Sequence, residues 1–533
     1  MYSIDGALLS SAVLNNPGGS SQSHEFVLPI GTYHLSAELY TLANLGGAKT
    51  GTLDTLVTIS NTTTFRSEVG STIVGVQVTP AAATFQVQTS KQFYANVIAP
   101  SGIATFSEPS GFTWLAFGGH VTVGETGLAL ATSEGAGSIR ATHGLSGEFN
   151  SATYTVEPFI TTTSKWTVLV YINAANDLYP FSTLNMNQME AVAQNPDVRF
   201  VVQWKQSQSL FPASSFNGTR RYLVKPDATN QIVSQLVQNM GSGIDMGQHS
   251  TLLDFVNWGQ TYFPGTRTCL IVWNHGNGWR RRPAPDEPIT RAVSYDDETG
   301  NAIQIWQLGQ ALGSNHFDIL AWDASLMQML EVAYEVEDQA SYVVGSEESP
   351  PGEGYPYDLI FQQFRDNPDN STALLTKSFV DGMLAVPSYA TRKITQSVLD
   401  TSKLDDLSTA ISQLGTALQA NVATLSSDTI TIRSQSQSYS PTSNRVFRDL
   451  IDVCDRYLAL SGLPVDVQTA AQNAKTAALA ALVWEGHNSH SPGSKGISID
   501  FSSGSVFAPS AADYGNLKLA QLTQWNEWLT VAP

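Results

Sequence analysis

The sequence is poor in cysteine, poor in charge, and poorer still in positive charge. Two cysteines in 533 residues, Cys269 and Cys454, cannot build a disulfide framework. Their surroundings offer no ligand spacing for zinc, and both lie in apolar patterns that read as core. Only 14% of residues are charged, and 27 Lys and Arg against 46 Asp and Glu leave a net charge of −19. So acidic a chain is not expected to bind nucleic acid, which needs basic surface, whereas cationic substrates remain open. No apolar run reaches the roughly 18 residues of a membrane-spanning helix. The start, Met1-Tyr2-Ser3-Ile4-Asp5, lacks the basic and apolar segments of a signal peptide. The expectation is either a cytosolic protein or one whose targeting segment is absent from this chain.

What is present is apolar periodicity of two kinds. Residues 1 to about 158 alternate apolar and polar positions between turn-rich segments, as half-buried strands do. Gly31 to Leu39, Leu53 to Ile59 and Ala152 to Val156 are examples. From Trp166 onward short continuous apolar runs alternate with helical patterns, which predicts a mostly parallel sheet covered by helices. The predicted helices include Phe181 to Val192, Ser250 to Phe263, Ser371 to Val386, Leu404 to Leu425 and a closing one from Tyr514 to Leu529. Gly496 to Phe501 is a predicted late strand. The expected division is a β-sandwich-like module at 1–73, a second β module at 74–158, a linker at 159–165 and an α/β domain at 166–533.

Two stretches carry the chemistry. Thr268 to Trp273 is an apolar run that ends in Asn274-His275-Gly276-Asn277-Gly278-Trp279. Phe317 to Trp322 is another, ending in Asp323-Ala324-Ser325-Leu326-Met327. In an open parallel sheet, ligands sit beyond the carboxyl ends of the strands, so His275 and Ser325 should emerge at one edge. Leu326, Met329, Leu330, Ala333 and Tyr334 follow at helical spacing. Ser325 is therefore expected at a strand-to-helix turn, where free backbone N–H groups favour negative charge.

These motifs, with Trp166 to Tyr171, Glu331 to Glu335, Ser346-Glu347-Glu348 and Gly354-Tyr355-Pro356-Tyr357, resemble the clostripain-like cysteine peptidases and their caspase-like fold. The resemblance runs from Trp166 to the C-terminus. It implies cleavage after Arg, with Lys as a second option, through a Cys/His dyad in which His275 is the base. It also implies an oxyanion hole from the N–H groups of Gly276 and of the nucleophile. Asp323 would face the cationic side chain, and Glu353 or Asp358 could supply a second carboxylate. The family has Cys where this chain has Ser325. A hydroxyl needs a well-oriented base and usually a third residue that fixes the imidazole, and a dyad built for sulfur is expected to lack one. The Ser325 form is therefore expected to be inactive. Three readings stay open: an exchange that traps an uncleaved form, a pseudo-peptidase that binds or adheres, and a true serine variant.

Other features weigh less. Arg280-Arg281-Arg282, with Arg291 beyond, lies in a Pro-containing stretch between His275 and Ser325. It is either a solvated basic loop or, as the resemblance implies, the site of activating self-cleavage. Glu347, Glu348, Glu353 and Asp358 could equally be solvated acids. Asp296-Asp297-Glu298 leaves calcium open against a solvated acidic turn. No other metal or cofactor is expected. Residues 74 to 157 resemble bacterial immunoglobulin-like modules of cell-surface proteins. Together the resemblances imply a secreted or cell-surface protein, monomeric, acting on Arg- or Lys-containing proteins or peptides.

Overall fold

The computed structural model describes residues 9, 11, 27–42, 46–59, 74–87, 89–98, 104–105, 111–144, 146–157, 162–279, 292–439 and 446–533. The chain divides into two compact units, Met1–Ile160 with Val237–Asn239, and Thr161–Leu236 with Met240–Pro533.

In the first unit the described elements before residue 160 are all strands. Gly31–Leu42 pairs antiparallel with Gly46–Ile59. Residues 74–157 form a four-stranded sheet and two three-stranded ones. Along Phe149–Glu157 burial alternates, with Ala152, Tyr154 and Val156 inward. They join Trp114, Ile139 and Phe93 in one core, which is why the apolar/polar alternation is so regular here.

The second unit is built on one sheet. Eight of its nine strands are β1 (Ser164–Ala174), β2 (Val198–Gln206), β3 (Gly218–Leu223), β4 (Gly265–Trp273), β5 (Phe317–Asp323), β6 (Ala340–Gly345), β7 (Thr395–Asp400) and β8 (Leu482–His487). They lie in the order β3-β2-β1-β4-β5-β6-β7-β8. The five strands β2, β1, β4, β5 and β6 run parallel. β3 and β7 join antiparallel, and β8 is antiparallel to β7. The expected mostly parallel sheet thus has antiparallel strands at both sides. β1 already begins at Ser164, which is buried, so Ser164 and Lys165 belong to the sheet and not to the linker expected there.

Both faces of the sheet are covered, so the central strands β1, β4 and β5 are mostly apolar and buried. Trp166, Val168, Val170 and Ile172 of β1 face a core that includes Phe200, Phe361, Phe364 and Phe379. Burying each such side chain stabilises the fold by about 1.5–3 kcal/mol. Helix α1 (Tyr179–Val192) follows β1, and α2 (His249–Tyr262) precedes β4. Gly259 of α2 sits so close to the sheet that a Cβ there would lie 2.6 Å from Leu169 Cδ2.

Several expected helices differ in detail. The helix from Leu404 ends at Ala420, short of Leu425, and a separate helix, Ser426–Gln435, follows it. The expected closing helix is broken into Ala511–Tyr514, Lys518–Leu522 and Trp525–Val531. The breaks let Tyr514, Trp525 and Trp528 all turn inward. The late strand, Ser498–Asp500, pairs with Phe447–Asp449 in a small separate sheet.

Candidate active site

The order of the strands reverses between β1 and β4. After β1 the chain first builds β2 and β3 on one side, and then crosses to β4 on the other. Such a reversal leaves a crevice beyond the carboxyl ends of the two strands. His275 leaves the end of β4 and Ser325 the end of β5. The register puts them level. Cys269 lies opposite Ile319 and Trp273 opposite Asp323, a constant offset of 50 residues. His275 and Ser325 continue the same offset. Parallel neighbours are about 4.8 Å apart, so the sheet delivers the two residues side by side. Both line one cleft of about 110 Å³, together with Leu178, Asn274, Asp323 and Gly352. The sequence-predicted pair is brought together.

The loops carrying the pair are tied down by backbone. Asn274 Nδ2 donates to the carbonyls of Asn173 (2.6 Å) and Tyr295 (3.0 Å), and Asn274 N donates to Asp323 O at 3.2 Å. Gly276 packs so tightly that a Cβ would lie 2.5 Å from Ser325 O. Only glycine fits between the two loops. Ser325 is half-buried, and its N–H donates to no other group among the described residues. That N–H is available to an oxyanion.

The turn after Ser325 differs from expectation. No helix begins there. Helix α3 starts only at Leu330 and runs to Glu335, too short and too far along to lend its N-terminus to Ser325. The intervening backbone is irregular, with Leu326 at φ +62°. A leucine in this region costs on the order of 1 kcal/mol. It is held by Leu326 N–H donating to Glu348 O (3.3 Å) and Gln328 N–H to Ser346 O (3.1 Å).

That brace comes from the acidic stretch Ser346-Glu347-Glu348, which is buried and not solvated. Glu347 Oε2 accepts from Tyr439 Oη and from Gly496 N, both at 3.2 Å. Burial and the neighbouring Asp449 hold the Glu347 carboxyl well above its ordinary range, and burial brings Asp449 to about 7. Glu348 pairs with Lys393 at 3.4 Å.

Asp323 lies at the base of the cleft and is 5% exposed. Tyr355 N donates to Oδ1 at 2.9 Å and Tyr357 Oη to Oδ2 at 3.0 Å. Desolvation outweighs these donors and raises its pKa to about 7. Gly354, at φ +69°, would place a Cβ 2.6 Å from Oδ1, so glycine is required there on both counts. Glu353 is half-buried and does not line the cleft, although its neighbours Gly352 and Gly354 do. Asp358 is in the short helix Tyr357–Ile360, also away from the cleft lining. Neither lines the cleft with Asp323.

Arg280, Arg281, Arg282 and Arg291 fall outside the described residues. The flanks of their segment are anchored. Trp279 Nε1 donates to Asp500 Oδ2 at 3.0 Å, and Ala292–Asp296 forms a hairpin with Asn301–Gln304. Of the acidic turn Asp296-Asp297-Glu298, Asp297 is exposed, as the solvated reading expects, but Asp296 is not. Asp296 is buried against the fully buried ammonium of Lys205 (2.8 Å), which also pairs with Glu298 at 2.9 Å. The cation there is a lysine. Among the described residues no cluster of His, Cys, Asp and Glu is placed to hold a metal ion. Cys269 and Cys454 are buried, and burial pushes both thiols up.

One site residue was not anticipated. Asp177, in the loop that leaves β1, accepts from His275: Nε2 to Oδ1 is 2.6 Å. The only hint in the sequence was an acid just after the first apolar strand. The pairing itself follows from β1 lying next to β4.

Comparison with known proteins agrees with this geometry. The model of the Clostripain family (peptidase C11) matches residues 170–512. Clostripain of Hathewaya histolytica is 22% identical over 225 residues, 38% of this chain and 42% of that protein, so the match spans less than half of the curated relative. An inactive zymogen C11 protease from Parabacteroides distasonis superposes with TM-score 0.52 at 20% identity, covering 68% of this chain and 99% of that one. A secreted C11 cysteine protease from Bacteroides thetaiotaomicron, bound to an irreversible peptide inhibitor, gives TM-score 0.49 at 19% identity over 66% of this chain and 98% of its own. Among the described residues no helix is long and apolar enough to cross a membrane. With its family model covering well over half its length, and His275 and Ser325 just beyond the ends of adjacent parallel strands, the chain belongs to the Clostripain family.

Proposed function

We propose that the protein is an endopeptidase that hydrolyses peptide bonds after Arg, with Lys as second choice. The observation that carries this reading is that His275, Ser325 and a buried carboxylate, Asp323, line a single cleft. His275 takes the proton of the attacking group and returns it to the leaving amine. The N–H groups of Gly276 and Ser325 stabilise the oxyanion. Asp323 receives the guanidinium, for which a carboxylate is the geometric match. Self-cleavage after Arg280, Arg281, Arg282 or Arg291 removes the connection between the strands that bear the two reacting residues. The β strands before residue 160 belong to modules of immunoglobulin-like type, residues 1–73 and 74–158, that space or dock the peptidase at a cell surface. The peptidase acts as a monomer.

A non-catalytic peptide-binding protein on the same fold is the second reading. It is favoured by Ser325 making no hydrogen bond to His275 among the described residues. Such bonds are often loose without substrate. Turnover of a fluorogenic Arg peptide by the Ser325 and Ser325→Cys forms separates the two. Cleavage after Arg by either form supports the peptidase. Binding without turnover in both forms supports the second reading.

A further inference from the structure

We propose that Asp177 is a positioning residue that makes Ser325 a competent nucleophile, so that the site works as an Asp177–His275–Ser325 triad. This rests on the peptidase reading of the cleft. The step from thiol to hydroxyl is chemically demanding. A thiol is partly ionised near neutral pH, whereas a hydroxyl must lose its proton as it attacks. It therefore depends on the orientation and tautomer of its base far more than a thiol does.

The structure supplies an anchor for the imidazole through which Asp177 acts on both. An ionised carboxylate can only accept hydrogen bonds. The 2.6 Å contact from His275 Nε2 to Asp177 Oδ1 therefore places the imidazole proton on Nε2 and leaves Nδ1 with its lone pair. Nδ1 makes no hydrogen bond to any described residue. A second histidine–carboxylate contact exists, His487 Nδ1 to Glu485 at 2.6 Å, but it joins residues two apart on one strand, away from the cleft. Asp177 and His275 are 98 residues apart and come from the two strands that flank the reversal of the sheet. Leu178, next to Asp177, lines the same cleft as His275 and Ser325. Asp177 is 74% exposed and His275 36% exposed. Solvent screens so open a pair, so its worth as an ion pair is small. Its effect lies in the tautomer and the ring orientation.

The chemistry then balances without a further reactant. Ser325 Oγ bonds to the scissile carbonyl carbon as its proton passes to His275 Nδ1. The N–H on Nε2 stays bonded to Asp177. The tetrahedral adduct collapses, the C–N bond breaks, and Nδ1 returns the proton to the leaving amine. Water repeats the sequence on the acyl-serine ester and releases the acid.

The test crosses two changes in the full chain, Asp177→Asn and Ser325→Cys, with two readouts. One is kcat and KM on a fluorogenic Arg peptide. The other is labelling of residue 325 by a fluorophosphonate, located by mass spectrometry, which needs no assumption about peptide specificity. We expect the Ser325 form to turn over and to be labelled. Asp177→Asn should cut its kcat and labelling rate by about 100-fold or more, with KM changed less than about threefold. In the Ser325→Cys form the same change should cost less than about tenfold in kcat. Asp177→Glu should restore part of the loss. Turnover by Ser325→Cys with neither turnover nor labelling of Ser325 overturns the proposal and leaves the peptidase reading standing. Equal losses in both forms, or a loss matched by a lower thermal midpoint, also overturn it, since Asp177 would then be structural. Labelling of Ser325 that depends on Asp177, without cleavage of Arg peptides, supports the triad and overturns the assigned substrate.

Discussion

The carboxyl at the base of the cleft ties selectivity to pH in a calculable way. Burial raises the pKa of Asp323 to about 7, so in the empty cleft the group is neutral in acid and charged above neutrality. An arginine side chain is attracted only by the charged form. Each pH unit below about 7 reduces that form about tenfold, so near pH 5 only about 1% remains. The measurement is kcat/KM for an Arg peptide divided by that for the matched citrulline peptide, in the Ser325→Cys form, from pH 5 to 9. Citrulline has the same shape without the charge, so any pH effect common to both substrates cancels in the ratio. The ratio should rise about tenfold per unit up to about pH 7 and then level off. Asp323→Asn should flatten it and lower the plateau by about 2–5 kcal/mol, the loss expected when a buried charge partner is removed. A ratio that is flat in the unaltered pocket, or that still rises in Asp323→Asn, would refute Asp323 as the group that meets the guanidinium.

Other outcomes follow from the same packing. The Ser325→Cys form should break after Arg280, Arg281, Arg282 or Arg291 into two pieces that co-elute, and N-terminal sequencing of the new fragment locates the cut. Gly276→Ala should abolish activity and lower the thermal midpoint, because its Cβ would lie 2.5 Å from Ser325 O, a backbone atom that cannot swing away. Glu331, raised by burial from 4.5 to about 8, is neutral in the fold at neutral pH and charged when unfolded. Its raised folded-state pKa stabilises the fold fully below about pH 4.5, and that contribution is lost as pH rises to about 8. Glu331→Gln should therefore flatten the decline in stability over that window, by on the order of 5 kcal/mol at most across it, read by urea unfolding at several pH values. In native Ser325→Cys protein, iodoacetamide should modify residue 325 alone, since burial raises the thiols of Cys269 and Cys454.

Much of this site was visible in the sequence because doubly covered parallel strands write themselves as uninterrupted apolar runs. Thr268 to Trp273 and Phe317 to Trp322 are such runs, and the polar residues that end them could only sit at a sheet edge. Asp177 was invisible for the opposite reason. Asn176-Asp177-Leu178 is an ordinary polar turn, and its partner is fixed by strand order, which local patterns do not encode. The misread helix after Ser325 has a different cause. Leu326, Met327 and Met329 are buried in an irregular turn, and a buried turn carries the same apolar spacing as a buried helix. The acids at Glu347 and Glu348 stayed open in the sequence because local composition does not separate a buried carboxylate from a solvated one. Glu347 instead meets Asp449, about a hundred residues along the chain, so its burial could not be read locally.

The seam between β4 and β5 has one more consequence. The five described pairings across it, Cys269 with Ile319 through Trp273 with Asp323, join chain from before the arginine segment to chain after it, as do Lys205 with Asp296 and Trp279 with Asp500. A chain cut in that segment becomes a heterodimer whose proton acceptor travels on one polypeptide and whose nucleophile travels on the other. Neither fragment can carry out chemistry alone, and activity becomes a direct count of correctly reassembled sheets. Two fragments produced separately would therefore report their own association, with the catalytic rate as the signal and the β4–β5 register as the lock.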